Sequence, residues 1–538
     1  MVATLQPLAF LLSNVWTEQL SRAFFDDTFA GIYQLEWFDL ALMIPYFVLL
    51  GILAIYGVHR YLTMARYWRH RRSLPKEPPR RFEQLPRVTI QLPIYNERYV
   101  IRRLLEAVSH IRYPRELLDI QVLDDSTDET RAITERLVGE YRAAGLPVSY
   151  LHRSKRTGFK AGALEAGLET ARGELVAIFD ADFVPPPDFL ERSVHYFADS
   201  KIGLVQTRWG YLNRNYSLLT EVQAMLLDGH FVLEHGARCG SGLFFNFNGT
   251  AGILRREMIT DAGGWEHDTL TEDSDLSYRA QLKGWKFLYL PSLVSPSELP
   301  VEFYAFQVQQ ARWAKGLSQV ALKLLPRILR SDIPPRHKAE AFFHLTPNIS
   351  YPIMVLVSAL MLPVMIVRFY MGWFDMLLMD LPLIIATFFS IISFYLMAQR
   401  ERDRRTWKRS IALLPMLIAA GIGLTVINTR AVIEALLRVP TAFVRTAKYA
   451  ISGTRPVKLE HHSYRRKSGL LPFIEIGLGT AFLAMVLFAI DTYNFLAIPF
   501  LVLFVGGYYW AGFVTLYNEY RDRLRWHAEQ RAAAETTQ

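Results

Sequence analysis

The sequence predicts an α/β domain with a Rossmann-like, mainly parallel sheet, inserted between transmembrane α-helices. Three observations support this fold class. Several windows of about 20 residues carry almost no charge, which is the length of a membrane-spanning helix. Residues 88–330 instead have the composition of one soluble domain. Within them, short apolar runs alternate with helical patterns, which is typical of parallel strands joined by crossover helices.

The composition excludes several classes of protein. The chain has 538 residues, of which 51% are apolar and 21% charged, which excludes a disordered protein and a purely soluble one. Its single cysteine, Cys239, excludes a disulfide framework and a multi-cysteine zinc site. The formal net charge is +9, but the basic residues flank the apolar windows. We therefore expect contact with a lipid bilayer and none with nucleic acid.

The charges around the apolar windows predict the topology. Acidic residues precede the first window and arginines follow it, which places the N-terminal segment outside and the chain after Arg60 in the cytoplasm. The predicted segments are an extracytoplasmic segment at 1–39, transmembrane helices at 40–60, 345–368, 381–398, 470–490 and 495–517, a basic proline-rich linker at 61–87, the α/β domain at 88–330, an interfacial segment at 331–344 and a cytoplasmic tail at 518–538.

Residues 411–440 are apolar enough to cross the membrane but have the wrong flanking charges. If they crossed, the nine Lys and Arg residues between Arg430 and Lys467 would lie outside, against the positive-inside rule. We therefore interpret 411–440 as a re-entrant or interfacial helix on the cytoplasmic side, followed by a basic cytoplasmic loop at 441–468. This interpretation leaves five crossings, and six crossings is the alternative.

The predicted strands end at acidic clusters. The runs VTIQL, DIQVLD and ELVAIFD predict strands, and residues 97–110, 127–144 and 160–171 predict the helices between them. Ligands of parallel sheets bind beyond the carboxyl ends of the strands. Four clusters follow in order: DDSTD at 124–128, DAD at 180–182, TED at 271–273 and QQARW at 309–313. Each alone is as consistent with loop residues or helix caps, but the ordered set predicts an active site.

These clusters, with the runs QLPIYNER, GFKAGAL, LVQTRWGYLN and FNFNGTAGILR, resemble those of membrane-embedded processive glycosyltransferases of family 2. The similarity is greatest to plant cellulose-synthase-like families A and C, the mannan, glucomannan and xyloglucan-backbone synthases, which are related to cellulose and hyaluronan synthases. It covers residues 88–320 and implies a GT-A type domain facing the cytoplasm. It also implies inverting, metal-dependent transfer of a hexose from UDP-glucose or GDP-mannose to a growing β-linked polysaccharide with coupled export, with a bacterial plasma membrane as the expected location.

The resemblance assigns residues to the donor nucleotide sugar. Asp124 and Asp125 are expected to accept hydrogen bonds from the base and ribose. Asp180 and Asp182 are expected to bind Mg²⁺ or Mn²⁺, although Asp182 could instead cap the turn before a proline. Lys160 could neutralise phosphate or be a solvated surface residue. The other residues expected at the donor are Pro93, Asn96, Glu97, Gln309 and Arg312.

The acceptor side carries the expected catalytic residues. We choose Asp273 as the general base, next to Glu272, because an inverting transfer needs a carboxylate that removes the acceptor hydroxyl proton. Both residues also fit the acidic first turn of a helix, and the two interpretations are compatible. The residues expected at the acceptor are Asn248, Gly249, Thr250 and Trp313, although a Trp beside an Arg can also be a membrane anchor.

The sequence FVRTAK at 443–448 resembles in part the gating loop of cellulose synthases. It shares Phe443, Thr446 and Lys448, but Arg445 stands where an apolar residue is expected. A basic segment resting on lipid headgroups is the alternative.

Two other functions stay open at this point. A lipid glycosyltransferase of the ceramide glucosyltransferase type shares the acidic and RW motifs but adds one sugar to a membrane acceptor. A non-catalytic nucleotide-binding membrane regulator would predict a missing motif carboxylate, and none is missing. The sequence does not determine the donor sugar, linkage, primer, oligomeric state or accessory subunits.

Overall fold

The computed structural model describes residues 33–34, 36–371, 380–440, 446, 448–454 and 469–536. Its strands are β1 Val88–Ile94, β2 Leu118–Asp124, β3 Val148–His152, β4 Leu175–Ile178, β5 Ile202–Tyr211, β6 Gly252–Arg255 and β7 Lys286–Ser297. Its α-helices are α1 Trp37–His70, α2 Ile101–Ser109, α3 Thr130–Ala143, α4 Phe159–Thr170, α5 Phe189–Ser193, α6 Leu218–Asp228, α7 Gly236–Gly240, α8 Arg256–Asp261, α9 Glu272–Leu282, α10 Phe303–Arg330, α11 Pro335–Leu345, α12 Ser350–Met371, α13 Ser390–Arg402, α14 Leu414–Gly423, α15 Thr425–Leu436, α16 Leu471–Asp491 and α17 Ile498–Thr536.

The seven strands form one sheet in the order β3-β2-β1-β4-β6-β5-β7. Strands β1, β2, β3 and β4 pair in parallel, and β7 is parallel to β5. Only β6 among the seven is reversed, since it runs antiparallel to both β4 and β5. The predicted α/β class with a mainly parallel sheet is therefore confirmed, and the three predicted strands and the helices between them are present.

The polarity of the sheet brings separate chain segments to one edge. Strands β1, β2 and β4 end there, and β7 ends there at Ser297. Because β6 is antiparallel and its first residue, Gly252, pairs with Ile178 at the end of β4, the segment that precedes β6 lies at the same edge. The reversed strand thus places residues 248–251 beside the acidic cluster at 180–182.

The central strands are buried on both faces because helices cover the sheet on both sides. Val88, Ile90, Leu92, Ile120 and Val122 are all fully buried. One core cluster packs α2 and α3 on one face, and the other packs α4, α8 and α9 on the opposite face. Each fully buried Val, Leu or Ile side chain contributes about 1.5–3 kcal/mol of transfer free energy, so this double layer holds the strand ends rigidly in place.

Five helices among the described residues are long and apolar enough to span a membrane, namely Trp37–Ser73, Pro347–Met371, Asp380–Arg402, Leu471–Asp491 and Ile498–Arg521. The chain is a membrane protein. The first span is longer than predicted and continues into the predicted linker at 61–87. Most of the predicted interfacial segment at 331–344 is helix α11. The predicted segments at 1–39 and 441–468 lie largely outside the described residues.

Helices α14 and α15 form a pair bent by 42° at residue 424. A bend of this size fits either a broken span or a re-entrant loop, so the interpretation of 411–440 stays a prediction. The pair is tied to the α/β domain through α10. Lys315 Nζ donates to Glu434 Oε2 at 3.0 Å and to the carbonyl oxygen of Val439 at 2.8 Å.

Two glycines on α1 allow the packing of the first span to be tested. A Cβ at Gly57 would lie 1.6 Å from the carbonyl oxygen of Ala386, whereas one at Gly51 would meet no atom within 4 Å. Gly57→Ala should therefore push α1 away from the span Asp380–Arg402, which contains Ala386. We expect it to destabilise the protein by about 1–3 kcal/mol, since overpacking forces backbone shifts. The measurement is thermal unfolding in detergent, followed by size-exclusion chromatography. Gly51→Ala is the control, and an equal loss in both variants would contradict the packing.

Candidate active site

One cleft at the carboxyl edge of the sheet collects most of the residues that the sequence singled out. The side chains come from the loops after β1, β2 and β4, the segment before β6, the start of α9, and α10. The predicted site residues that line it are Pro93, Glu97, Asp125, Lys160, Asp180, Asp182, Asn248, Gly249, Glu272, Asp273, Gln309, Arg312, Trp313, Thr446 and Lys448.

The two carboxylates after β4 each face a lysine. Lys160 Nζ lies 2.5 Å from Asp180 Oδ1 and donates to the carbonyl oxygen of Gly249 at 2.8 Å. Lys448 Nζ lies 2.7 Å from Asp182 Oδ2. Both carboxylates therefore lie where a cation is favourable.

The charges of the cleft shift one another's pKa values. Burial raises the pKa of Asp180, and Lys160 offsets part of that rise. Burial lowers the pKa of Lys160, but the attraction of Asp180 and Glu272 outweighs it and leaves the pKa raised. The lysine therefore stays cationic at neutral pH. The cleft can hold anionic phosphate beside it only if the carboxylates are also neutralised.

Glu272 and Asp273 begin helix α9, as the sequence predicted. The backbone N–H of Ser274 donates to Asp273 Oδ1 at 2.7 Å. Burial raises the pKa of both carboxyl groups, and repulsion from Glu272 adds to the rise for Asp273. A carboxylate whose pKa is raised towards neutrality accepts a proton more readily than an ordinary aspartate, which is the property of a general base.

Residues 309–313 are helical, so the predicted spacing puts three side chains on one face of α10. Gln309, Arg312 and Trp313 all line the cleft. The helix comes close to the start of α9 at Gly316, where a Cβ would lie 2.5 Å from Thr271 Cγ2. Burial lowers the pKa of Arg312, and the carboxylates around it, Glu272 first, oppose that shift.

Three predicted site residues do not line the cleft, and their polar atoms form hydrogen bonds within the protein. Asp124 is fully buried and accepts hydrogen bonds from Ser126 N and the Tyr150 hydroxyl, both at 2.8 Å. Asn96 has a φ of 55° and its Oδ1 accepts from Thr127 N at 2.9 Å. The buried Thr250 hydroxyl accepts from Asp180 N at 2.9 Å. All three shape loops because their polar atoms are used within the protein.

Sequence reasoning missed several residues that line the cleft. The guanidinium of Arg156 lies 3.4 Å above the ring of Tyr95, and both line the cleft with Trp209. Asp125 is held by Arg153, whose Nε and Nη2 donate at 2.8 and 2.6 Å. Tyr95 lies within the run QLPIYNER and could have been found there. The arginines carry no motif of their own, so only the fold reveals them.

Glu298, directly after β7, was also missed and anchors the segment 446–454. Its buried carboxylate accepts from the backbone N–H groups of Tyr449 and Ile451 at 2.8 and 3.1 Å and from Arg103 Nη2 at 2.9 Å. Lys448 Nζ also donates to the carbonyl oxygen of Glu298. The segment that resembles a gating loop therefore lies in the cleft at Thr446 and Lys448, whereas Phe443 lies outside the described residues.

Comparison with known proteins gives one family and a set of plant relatives. Residues 86–316 match the family described as "Glycosyltransferase like family 2". Together with the mainly parallel sheet, this match confirms the expected GT-A type fold. Glucomannan 4-beta-mannosyltransferase 2 of Arabidopsis thaliana is 45% identical over 251 residues, which cover 46% of this chain and 47% of the relative.

A second relative extends further. Glucomannan 4-beta-mannosyltransferase 1 of Cyamopsis tetragonoloba is 36% identical over 323 residues, covering 58% of this chain and 61% of the relative. The chain thus spans about half the length of the curated relatives it matches. A solved structure, mannosyltransferase PcManGT from Pyrobaculum calidifontis in complex with GDP-Man and Mn²⁺, covers 67% of this chain and 99% of its own, with a TM-score of 0.47 and 23% identity.

The anchoring of segment 446–454 can be tested by hydrogen exchange. Glu298→Ala removes the acceptor of two backbone amides, so exchange in the peptide that contains Tyr449 and Ile451 should accelerate about ten-fold or more. Mass spectrometry after deuterium labelling measures it. Glu302→Ala is the matched control, because Glu302 Oε2 accepts from the side-chain hydroxyl of Tyr449, at 3.4 Å, and this hydrogen bond involves no backbone amide. Equal exchange in wild type and Glu298→Ala would show that the anchor is unimportant.

Proposed function

Because residues 86–316 match a glycosyltransferase family, we propose that this membrane protein is an inverting hexosyltransferase of family 2 that extends a β-linked polysaccharide. One observation carries the proposal: a partly buried carboxylate pair at the start of α9 lies in the same cleft as the Asp180–Asp182 cluster and Arg312. The printed names of the relatives favour β-1,4-mannosyl units of a mannan or glucomannan, which makes GDP-mannose the first donor to test and UDP-glucose the second.

In this proposal Asp273 is the general base that acts on the acceptor. An acceptor hydroxyl oxygen attacks the anomeric carbon of the donor sugar while Asp273 takes the hydroxyl proton. The new glycosidic bond forms as the bond to the diphosphate breaks, so the configuration inverts and the nucleoside diphosphate leaves. Trp313 offers a flat apolar face for the acceptor sugar at this end of the cleft. Burial raises the pKa of Asp273, and repulsion from Glu272 raises it further.

The donor end is cationic on one side and acidic on the other. Lys160 and Arg312 can each donate to phosphate oxygens, Arg312 with a planar fork that suits bidentate contacts. Tyr95, stacked under Arg156, provides a flat platform for the nucleotide base. Asp125 can accept from the ribose or base next to that platform.

Asp180 and Asp182 fit a divalent cation. Their carboxylate oxygens are the hard ligands that Mg²⁺ and Mn²⁺ prefer, and both already lie against ammonium groups. Asp180 has a raised pKa, which a nearby metal ion would oppose. When bound, such an ion would supply charge neutralisation for the diphosphate. The lysines would then be released to contact the phosphate oxygens.

The membrane part decides where the polymer goes. The basic flanks of the spans favour a cleft on the cytoplasmic side, and we propose that the spans guide the polar product across the bilayer. Segment 446–454, which follows the bent pair α14–α15 in the chain, is the natural gate because Lys448 contacts Asp182. The relatives are plant proteins and give no support to a bacterial plasma membrane.

Transfer to a single lipid acceptor is the rival activity. The match to glucomannan mannosyltransferases favours the polysaccharide. Products made from radiolabelled donor in detergent decide between them. A high-molecular-weight polymer, which a β-mannanase or β-glucanase degrades, supports the proposal, and a single organic-soluble glycolipid spot would refute it.

The role of Asp273 can be tested by substitution. Asp273→Asn should lower the rate of transfer by about 10²–10⁴-fold, because the amide cannot take the proton, while nucleotide binding persists. Radiolabelled sugar transfer measures the rate, and calorimetric titration with the nucleoside diphosphate measures binding. Glu257→Gln, an exposed carboxylate on α8, is the control and should behave like wild type. Retained turnover in Asp273→Asn would exclude it as the base.

The metal proposal makes a separate prediction. Asp182→Asn should remove Mn²⁺ binding, measured by titration of the purified protein, and lower transfer by about 10²-fold or more because the developing charge on the leaving diphosphate loses its counter-ion. Chelator should abolish wild-type transfer, and added Mg²⁺ or Mn²⁺ should restore it. Full activity of the wild-type protein in excess chelator would contradict the proposal.

A further inference from the structure

The side chain of Asn248, which lines the cleft, is held between two histidines. Its Oδ1 lies 2.7 Å from His235 Nε2, and its Nδ2 lies 2.9 Å from His230 Nε2. Both histidines belong to one π-helical stretch, Gly229–His235, which follows α6. Both hydrogen-bonding ends of the amide are therefore used inside the protein. This corrects the expectation that the Asn248 side chain binds the acceptor directly.

The charge of Glu234 indicates which atoms donate in this series of hydrogen bonds. His230 Nδ1 lies 2.9 Å from Glu234 Oε2. Burial raises the pKa of Glu234, but Arg238 and His230 lower it to well below its ordinary value, so the carboxylate is ionised and only accepts. The Nδ1–H group of His230 therefore donates to Glu234, and Nε2 is the acceptor for the Asn248 N–H group. The orientation of the amide follows, because its oxygen must face the N–H of His235.

The opposite orientation of the amide is unfavourable. It would make His230 Nε2 the donor and leave Nδ1 as an acceptor, so that Nδ1 and the carboxylate of Glu234 would repel each other. It would also put the proton of His235 on Nδ1, which is buried and has no partner. Burial lowers the pKa of His235 well below its ordinary value, so the ring stays neutral. An unpaired buried donor costs about 1–3 kcal/mol.

Asn248 controls the backbone that touches the general base. Its own N–H donates to Gln206 Oε1 at 3.0 Å. The next residue, Gly249, has a φ of 75°, and a Cβ there would lie 3.0 Å from Asp273 Oδ2. The hydrogen bonds that hold Asn248 therefore also hold the backbone of Gly249 in its place next to the carboxylate of Asp273.

The other end of this series of hydrogen bonds reaches the first membrane span. Arg238 Nε donates to Glu340 Oε1 at 3.0 Å, and Glu340 Oε2 lies 3.1 Å from His59 Nε2 and also accepts from Arg66. His59 and Arg66 are on α1. The turn that carries the histidines packs directly on the same span, because a Cβ at Gly236 would lie 2.8 Å from the ring of Tyr67.

We propose that His230 is a positioning residue: by holding the amide of Asn248 it fixes Gly249 against Asp273, and it ties the acceptor end of the cleft to the first membrane span. The inference rests on the proposed function and adds a residue to it that touches neither sugar. It also explains why a membrane helix and the acceptor loop share one hydrogen-bond chain.

Two substitutions of the same residue separate positioning from folding. The side chain of His230→Gln can place an oxygen near the position of Nε2 and accept from Asn248. The shorter His230→Asn can reach Glu234, near the position of Nδ1, but leaves the Asn248 amide without an acceptor. The KM for acceptor should therefore rise about ten-fold in His230→Asn, and the KM for donor should stay within about two-fold. His230→Gln should restore the acceptor KM, and His110→Gln, exposed at the end of α2, is the control.

The assay uses the full-length protein in detergent with the donor that wild type accepts, GDP-mannose or UDP-glucose, and mannohexaose or cellohexaose as added acceptor. An unchanged acceptor KM in His230→Asn would overturn the inference. Equal losses in His230→Asn and His230→Gln, in both KM values, would reduce His230 to a folding role and also overturn it. Absence of transfer by wild type from either donor would instead remove the proposed function, and this inference with it.

Discussion

The crowding of carboxylates in one partly buried cleft is the constraint on which the rest of the structure depends. Carboxylates that share one cleft repel each other, which is costly unless cations lie between them. Lys160 meets Asp180, and Lys448 meets Asp182. The cleft therefore offsets part of the repulsion between its carboxylates by drawing cations from three separate parts of the chain: α4, α10 and the segment 446–454.

The sheet makes this crowding possible. Parallel strands alone would deliver the loops after β1, β2 and β4, but the segment before β6 reaches the same edge only because β6 is reversed. The reversal sets Gly249 beside Asp273 and Lys160. The resulting arrangement brings the proposed donor groups and the proposed acceptor groups into one cleft, and a direct displacement requires such closeness.

The α/β domain is tied to the membrane helices by buried charge pairs. Lys315 on α10 meets Glu434 on α15, and Arg238 meets Glu340, which in turn meets α1. Breaking such a pair leaves an uncompensated buried charge and typically costs about 3–5 kcal/mol. The domain is thus fixed on the spans. Segment 446–454, held by Glu298, returns from the membrane part into the cleft.

The sequence by itself determined the fold class, the bounds of the four apolar helices after the α/β domain to within about four residues, and the side chains that line the cleft at Asp180, Asp182, Asp273 and Arg312. These are local properties: hydrophobic period, charge asymmetry and the spacing of carboxylates at strand ends all act over short stretches of chain. The family resemblance supplied the roles.

Only the tertiary structure decided which polar atoms stay available to a ligand. Asp124 and Asp125 are adjacent in the sequence, yet one is fully buried against Tyr150 and the other faces the cleft. Glu298 and His230 have no motif, because their importance comes from partners that only the fold brings alongside them. Hydrogen bonding and burial are set by what the fold brings alongside a residue, which its own neighbours in the sequence do not specify.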